Sequence, residues 1–288
     1  MRDLNYQLKQ LCTHNRDGSY STQAGRRRHL SLMADQLHDL GYRGLRPQSL
    51  KPKHVVALTE LWARQGLSLG TRKNRLAALR WWAKKVGKAG VIARQNSTYG
   101  LGRRQYVTNT SKARTLDPAQ LSRITDQYTR LSVRLQAAFG LRREEAIKFR
   151  PSYAVRQDHI HLKPSWTKGG RARSIPITTN EQRALLQDVQ AFTGSGALIP
   201  PELRYAQQLH RYERQLRNAG LEKLHGLRHA YAQRRYRDLT GWDAPAAGGP
   251  ASRSLSSSNR ALDKTARETI AEELGHRRET ISAVYLGR

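Results

Sequence analysis

The chain has a single cysteine, Cys12, so it can form neither an internal disulfide nor a thiolate zinc site. It is also short of carboxylates, with 22 Asp and Glu against 52 Lys and Arg, a net charge of +30 at pH 7. No apolar run approaches the ~18 residues that a membrane span needs, and no charged-then-apolar secretory signal opens it. These absences exclude a disulfide-stapled secreted scaffold and a helical membrane protein. They lead us to expect a cytoplasmic, nucleoid-associated protein with no membrane partner. Nothing resembles an internal repeat.

What is present in excess is arginine, whose guanidinium fork suits phosphate oxygens. The basic charge is not a tail. Residues 1–110 hold 21 basic and 5 acidic side chains, and residues 111–288 hold 31 and 17. Both halves are therefore expected to meet the same long polyanion. The hydrophobic fraction of 38% points to folded domains rather than a disordered basic arm. At 288 residues there is room for two cores.

Apolar spacing in the first half predicts helices. Leu4, Leu8 and Leu11 mark a short one within 1–16. Leu30, Met33, Leu37 and Leu40 mark a second from His29, preceded by Arg26, Arg27 and Arg28. A third covers 52–65, and a fourth follows the turn at 67–71 with Leu76, Leu79 and Ala83 inward. Lys73, Arg80 and Lys84 flank that stripe and suit a DNA backbone. Trp81 and Trp82 read as packing residues. Residues 87–114, including Arg103 and Arg104, read as a basic linker. The expected boundaries are a helical DNA-binding domain over 1–108 and a second domain over 109–288.

In the second half Asp117 and Pro118 open a helix, expected to run to Tyr128, and another is expected from Leu131 to Phe139. Gly140-Leu141-Arg142 interrupts, and Arg143 to Phe149 resumes as helix. Alternating Ile160, Leu162, Ile175 and Ile177 around Lys168-Gly169-Gly170 predict a small antiparallel hairpin. Helices are expected at 179–192, 201–218 and 225–237. A Gly-, Pro- and Ser-rich flexible insertion is expected at about 238–261. A helix from Leu262 to Leu274, with Leu262, Ala266, Ile270 and Leu274 on one face, precedes a last short helix bearing Tyr285. The fold class is mainly α with a small antiparallel β-sheet: a helical N-terminal domain and an α+β second domain.

The residues able to do chemistry form a pattern. His225 and Arg228 lie three apart on one helix and share a face. Arg142 follows a glycine break, Lys168 sits at a hairpin tip, His276 follows Gly275, and Tyr285 lies near the end. Two arginines, a lysine, two histidines and a tyrosine, with no acidic pair among them, suit phosphoryl transfer by a tyrosine nucleophile. His159 and His161 are spaced as strand neighbours but lack a carboxylate or thiol to complete a metal site. No metal or cofactor is expected.

Four stretches in this order resemble the tyrosine recombinases, the phage integrase family: Gly140-Leu141-Arg142 with Glu145; Lys168 in Thr-Lys-Gly-Gly; His225, Leu227, Arg228 and His229; and Leu274, Gly275, His276 with Tyr285 nine residues on. The match spans about 142–285, and the N-terminal helices are similar in pattern to the family's core-binding domain. The resemblance implies that Arg142 and Arg228 grip a scissile DNA phosphate and that His276 donates a further hydrogen bond to it. Tyr285 attacks to give a 3′-phosphotyrosyl link, Lys168 protonates the leaving 5′ oxygen, and His225 accepts a proton or binds phosphate. Glu145 and His229 support them. The covalent link conserves the phosphodiester energy, so ATP is not implied. The implied partners are double-stranded DNA, further protomers in a tetramer on two sites, and a DNA-bending accessory protein. An integrase of a mobile element fits this reading. A chromosome-dimer resolvase, a type IB topoisomerase-like enzyme and a non-cleaving DNA-binding regulator are the alternatives. The 51 residues from His225 to His276 exceed the family's usual spacing, and 238–261 accounts for the excess.

Overall fold

A serine decides where the second helix begins. In the computed structural model, which describes residues 3–276 and 278–288, the Ser19 hydroxyl accepts from the Thr22 amide at 3.3 Å. Helix α1 is Asp3–His14, and α2 runs over Tyr20–Asp39 rather than starting at His29. Gly25 lies inside α2 with no neighbour within 4 Å of where a Cβ would stand. A mid-helix glycine costs about 1 kcal/mol and a serine N-cap stabilises by about as much, so the cap offsets the glycine and Arg26–Arg28 lie in the helix body.

Helix α3 is Pro52–Arg64 and α4 is Leu69–Lys85, capped by Ser68. Leu8, Leu37, Leu58, Trp62, Leu79 and Trp82 meet in one core. Both buried indoles satisfy their N–H, Trp62 on Gln36 Oε1 and Trp82 on the Pro47 carbonyl, each at 2.9 Å. Residues 87–105, expected as linker, fold onto this core instead. Ile92 and Leu101 are buried in it. Arg80 holds the segment through the Asn96 side chain and the Ala93 and Arg94 carbonyls.

The chain divides between Gln105 and Tyr106 into this unit and a second one. The second contains α5 (Pro118–Ser122), α6 (Gln127–Phe139), α7 (Arg143–Ile147), α8 (Pro151–Ala154), β1 (His159–Leu162), β2 (Arg173–Pro176), α9 (Asn180–Thr193), α10 (Tyr205–Asn218), α11 (His225–Thr240), α12 (Ser257–Glu273) and α13 (Ala283–Leu286). Asp117 caps α5 as its sequence suggests. The helix stops at Ser122, however, because Asp126 caps a new one at Thr129. The two strands pair antiparallel, with Ile160 opposite Ile175. The core lies where α6, α11, α12 and the sheet meet, around Leu135, Phe139, Ile160, Tyr231, Tyr236 and Ile270. The fold is thus mainly α with one small antiparallel sheet. Among the described residues no helix is long and apolar enough to cross a membrane.

Two expectations are corrected here. The segment 238–261 is not a free loop: α11 runs to Thr240 and α12 starts at Ser257. The stretch between them is tied down by Ala244 and Leu255, both buried, and by a Ser252 to Asp263 hydrogen bond of 2.9 Å. Leu262 is 40% exposed, outside the buried stripe of α12. Asp263 and Arg267 are inward instead, as a buried ion pair that also donates to the Gly287 carbonyl.

Candidate active site

Gly140 sets the first arginine in place. It ends α6 in the left-handed region at φ +61, and a Cβ there would stand 2.7 Å from the Tyr231 ring. Only glycine meets both demands. The chain then turns so that Arg142 becomes the N-cap of α7, where Glu145 accepts from its backbone N–H at 2.7 Å and from its Nη1 at 2.9 Å. Helix α11 begins at His225 and places Arg228 one turn on. Gly275 (φ +67) ends α12 and sends His276 toward the Tyr285 ring.

These elements converge. Arg228 is 1% exposed. Its Nη1 donates to the Gly140 carbonyl at 2.6 Å, its Nη2 to the Leu274 carbonyl, and its Nε to the Tyr285 hydroxyl at 3.3 Å. The Leu274 carbonyl also accepts from Arg142 Nη2 at 3.2 Å. The free carbonyls at the C-terminus of α12 therefore gather the guanidiniums, as a helix C-terminus favours cations. The Tyr285 ring lies 4.6 Å from His229, 5.6 Å from His276 and 6.0 Å from His225. Its carbonyl accepts from Gln233 Nε2 at 2.9 Å.

Lys168 is exposed on the hairpin loop. Its cleft is shared with Arg142, Lys223 and His225. Thr167 shapes that loop by accepting from the Arg171 amide and donating to the Arg171 carbonyl, with Gly169 and Gly170 at positive φ. Lys163 lies instead over the Tyr153 and Trp166 rings. His159 pairs with Asp158 and His161 with Ser174. Among the described residues no group of three His, Cys, Asp or Glu could hold a metal ion.

The electrostatics follow from three arginines and one carboxylate. Burial would push the Glu145 carboxyl up, but the Arg173 fork, with the charges of Arg173 and Arg142, overrides it and holds the group at about 2. Burial lowers Arg228 to about 10, still protonated near neutrality. Burial first, and then the nearby cations, push His276 and His229 down to about 4, and lower His225 too. The imidazole Nε2 of His276 is buried with no hydrogen-bond partner.

A pH dependence of stability follows. His229 and His276 bind fewer protons folded than unfolded, so their contribution is complete above the unfolded value of 6.5 and is lost as pH falls toward about 4. Glu145 has a folded value below its unfolded one of 4.5, so its contribution is lost lower, as pH falls toward about 2. Urea midpoints measured from pH 8 to 3 should be level above about 7 and decline below, and His229→Asn should flatten the upper part of the decline. A midpoint that rises on acidification would contradict these assignments.

With this geometry in view, the comparisons with known proteins are informative. A family model described as phage integrase, N-terminal, matches residues 1–92, and one described as integrase matches residues 102–234. The chain belongs to the phage integrase family of tyrosine recombinases. Its fold is similar to that of a lambda integrase dimer bound to a COC′ core site (14% identity, TM-score 0.63, covering 99% of this chain and 78% of that one). It is also similar to XerH site-specific recombinase bound to difH substrate (17%, 0.57, 98% and 80%) and to Tn1549 transposon integrase in complex with circular intermediate DNA (15%, 0.55, 100% and 96%). At such identities the likeness is one of fold. No curated protein matches the sequence.

In this chain the six residues singled out from sequence do not stand equally close. Arg142, Arg228, His276 and Tyr285 share direct bonds, ring contacts or acceptors, and His225 lies beside them. Lys168 reaches the group only through the cleft. Among the basic residues of the first unit, Arg27, Arg28, Lys84 and Arg103 are exposed and Lys73 partly so. Arg26 stacks on Trp81 at 4.2 Å, and Arg104 donates to the Gly70 carbonyl and the Asn74 side chain. Sequence reasoning missed Gln233, and it missed Arg173, which grips Glu145. Arg173 had a signal: it occupies an inward position of an alternating strand, where an arginine needs a buried acceptor.

Proposed function

We propose that the protein is a site-specific DNA recombinase that cleaves and rejoins strands through a 3′-phosphotyrosyl intermediate, for integration or excision of a mobile element. The observation that carries this reading is the Tyr285 hydroxyl hydrogen-bonded to Arg228, beside an Arg142 that shares the same Leu274 carbonyl. In the reaction a DNA phosphate enters between them. Arg142 and Arg228 bind its non-bridging oxygens and stabilise the charge of the pentavalent transition state. The unpartnered His276 nitrogen donates the hydrogen bond that buried polar atoms demand. The Tyr285 oxygen forms a bond to phosphorus as the bond to the 5′ oxygen breaks. The tyrosine proton passes to His225, and Lys168 supplies a proton to the departing 5′ oxygen, which leaves as a hydroxyl. Attack by a 5′ hydroxyl from another strand reverses each transfer and releases Tyr285. Glu145 and His229 hold this group in shape without touching DNA.

The partner is double-stranded DNA, bound by exposed Arg27, Arg28, Lys84 and Arg103 with contributions from Lys73 and Arg26. Strand exchange needs more than one protomer, as a tetramer on two sites. Incubating the chain with a pool of nicked duplexes taken from the DNA flanking its own gene should trap a covalent protein–DNA adduct. Absence of any adduct across the pool would overturn the reading. DNA affinity should fall by ~10³ or more between 50 and 200 mM salt if six or more phosphates are contacted. An affinity unchanged by salt would be incompatible with the basic surface as its binding face.

A further inference from the structure

We propose that Arg173 is a positioning residue for the cleavage step, the one that keeps Arg142 able to bind phosphate by sharing the carboxylate of Glu145. The inference rests on the reading of Arg142 as a phosphate ligand.

Glu145 is fully buried and accepts four hydrogen bonds. Two come from Arg142, its backbone N–H and its Nη1. The other two come from Arg173, which meets the carboxylate as a fork, Nη1 to Oε1 at 2.9 Å and Nη2 to Oε2 at 2.7 Å. This two-point geometry is the strongest pairing available to a carboxylate. The third nitrogen of Arg173, Nε, donates to the Glu273 carbonyl at 2.8 Å. All three nitrogens of Arg173 thus point at the protein's own oxygens, and its fork is spent on Glu145.

The charge balance is what makes the residue matter. The Arg142–Glu145 pair alone would be neutral, and a phosphate arriving there would compete with a carboxylate for one guanidinium. Adding Arg173 gives two guanidiniums to one carboxylate, so the group keeps a net positive charge in a low-dielectric setting where charge acts strongly. Placement adds to this. Arg173 sits on β2, five residues after Lys168 on the same hairpin. It bonds α12 three residues before His276, and its stem would lie 3.0 Å from a Cβ on Gly275. One side chain thus ties the segments carrying Lys168, Arg142 and His276 to each other.

The test compares single-turnover cleavage of the nicked duplex, DNA affinity and thermal melting for wild type, Arg173→Met, Arg173→Lys and the double variant Arg173→Met/Glu145→Gln. Arg173→Met should cleave ~10²-fold more slowly at saturating DNA, the scale of losing one preorganised electrostatic group, with affinity within about threefold of wild type. The double variant removes the carboxylate that would then compete with phosphate for Arg142 and should regain about tenfold over Arg173→Met. A purely structural role would give no such recovery from a second buried substitution. Wild-type cleavage by Arg173→Met, or a double variant no faster than the single one, would overturn the inference. If Arg173→Met does not fold, Arg173→Lys decides: it keeps the charge and should stay within about tenfold of wild type, and a ~10³-fold loss would overturn the charge argument. A wild type that forms no adduct would overturn the functional reading and this inference together.

Discussion

Tyr285→Phe should form no covalent adduct with any duplex that traps the wild-type protein, while binding that duplex within about threefold of wild-type affinity. The substitution removes one oxygen and little else. The ring is 5% exposed and packs among His225, His229 and His276, contacts that phenylalanine keeps. The lost hydrogen bond is the 3.3 Å one from Arg228 Nε, and its removal leaves that donor unsatisfied in a buried site. Hydrogen bonds to charged groups contribute about 1.5–3 kcal/mol, so the melting temperature should fall by several degrees without unfolding. The two readouts separate chemistry from structure. A structural tyrosine would lose stability and still leave an adduct on some other nucleophile. An attacking tyrosine loses the adduct altogether, because the described side chains packed on its ring are imidazoles and a guanidinium rather than hydroxyls. A denaturation-resistant adduct with Tyr285→Phe would sink the mechanism outright.

What could be read from sequence was local. Gly140 before Arg142, Gly275 before His276 and the three-residue step from His225 to Arg228 are written in short stretches, and the backbone follows them. The cap at Asp117 was equally legible. Long-range pairing was not. Nothing beside Arg173 in the chain announces that its partners are Glu145, 28 residues upstream, and the Glu273 carbonyl, 100 residues downstream. Charge counting also misleads at single positions. Arg80 and Arg104 lie in the most basic part of the chain, yet their guanidiniums close onto the first unit's own carbonyls and side chains. The 238–261 stretch failed for a related reason. Its Gly, Pro and Ser content predicts the absence of regular helix or strand over most of it. Order there comes instead from tertiary anchors such as Asp263 and Arg267, which lie on α12 and accept or donate across the gap. Composition reports local propensity, whereas burial of a loop depends on residues elsewhere.

Arg228→Lys should slow cleavage by ~10³-fold, a loss comparable to removing more than one preorganised donor, with DNA affinity nearly unchanged. The choice of lysine isolates the fork from the charge. Arg228 spans three acceptors from three elements: the Gly140 carbonyl that ends α6, the Leu274 carbonyl that ends α12, and the Tyr285 hydroxyl on α13. A lysine carries the same charge on one nitrogen and cannot bridge all three. The nucleophile, the Gly140 turn leading to Arg142 and the end of α12 leading to His276 would then lose their common tether. Affinity should survive because it comes from many phosphate contacts along the duplex, and one altered cation changes it little. Stability should drop, since carbonyls at two helix ends lose a buried donor, each at about 1–3 kcal/mol. The comparison with Arg228→Ala makes the outcome decisive. Alanine removes the charge as well, so it should cleave no faster than lysine and melt lower. If Arg228→Lys cleaves within tenfold of wild type, charge alone suffices and the three-way fork is scaffolding. If affinity collapses together with melting temperature, Arg228 holds the unit together rather than the phosphate.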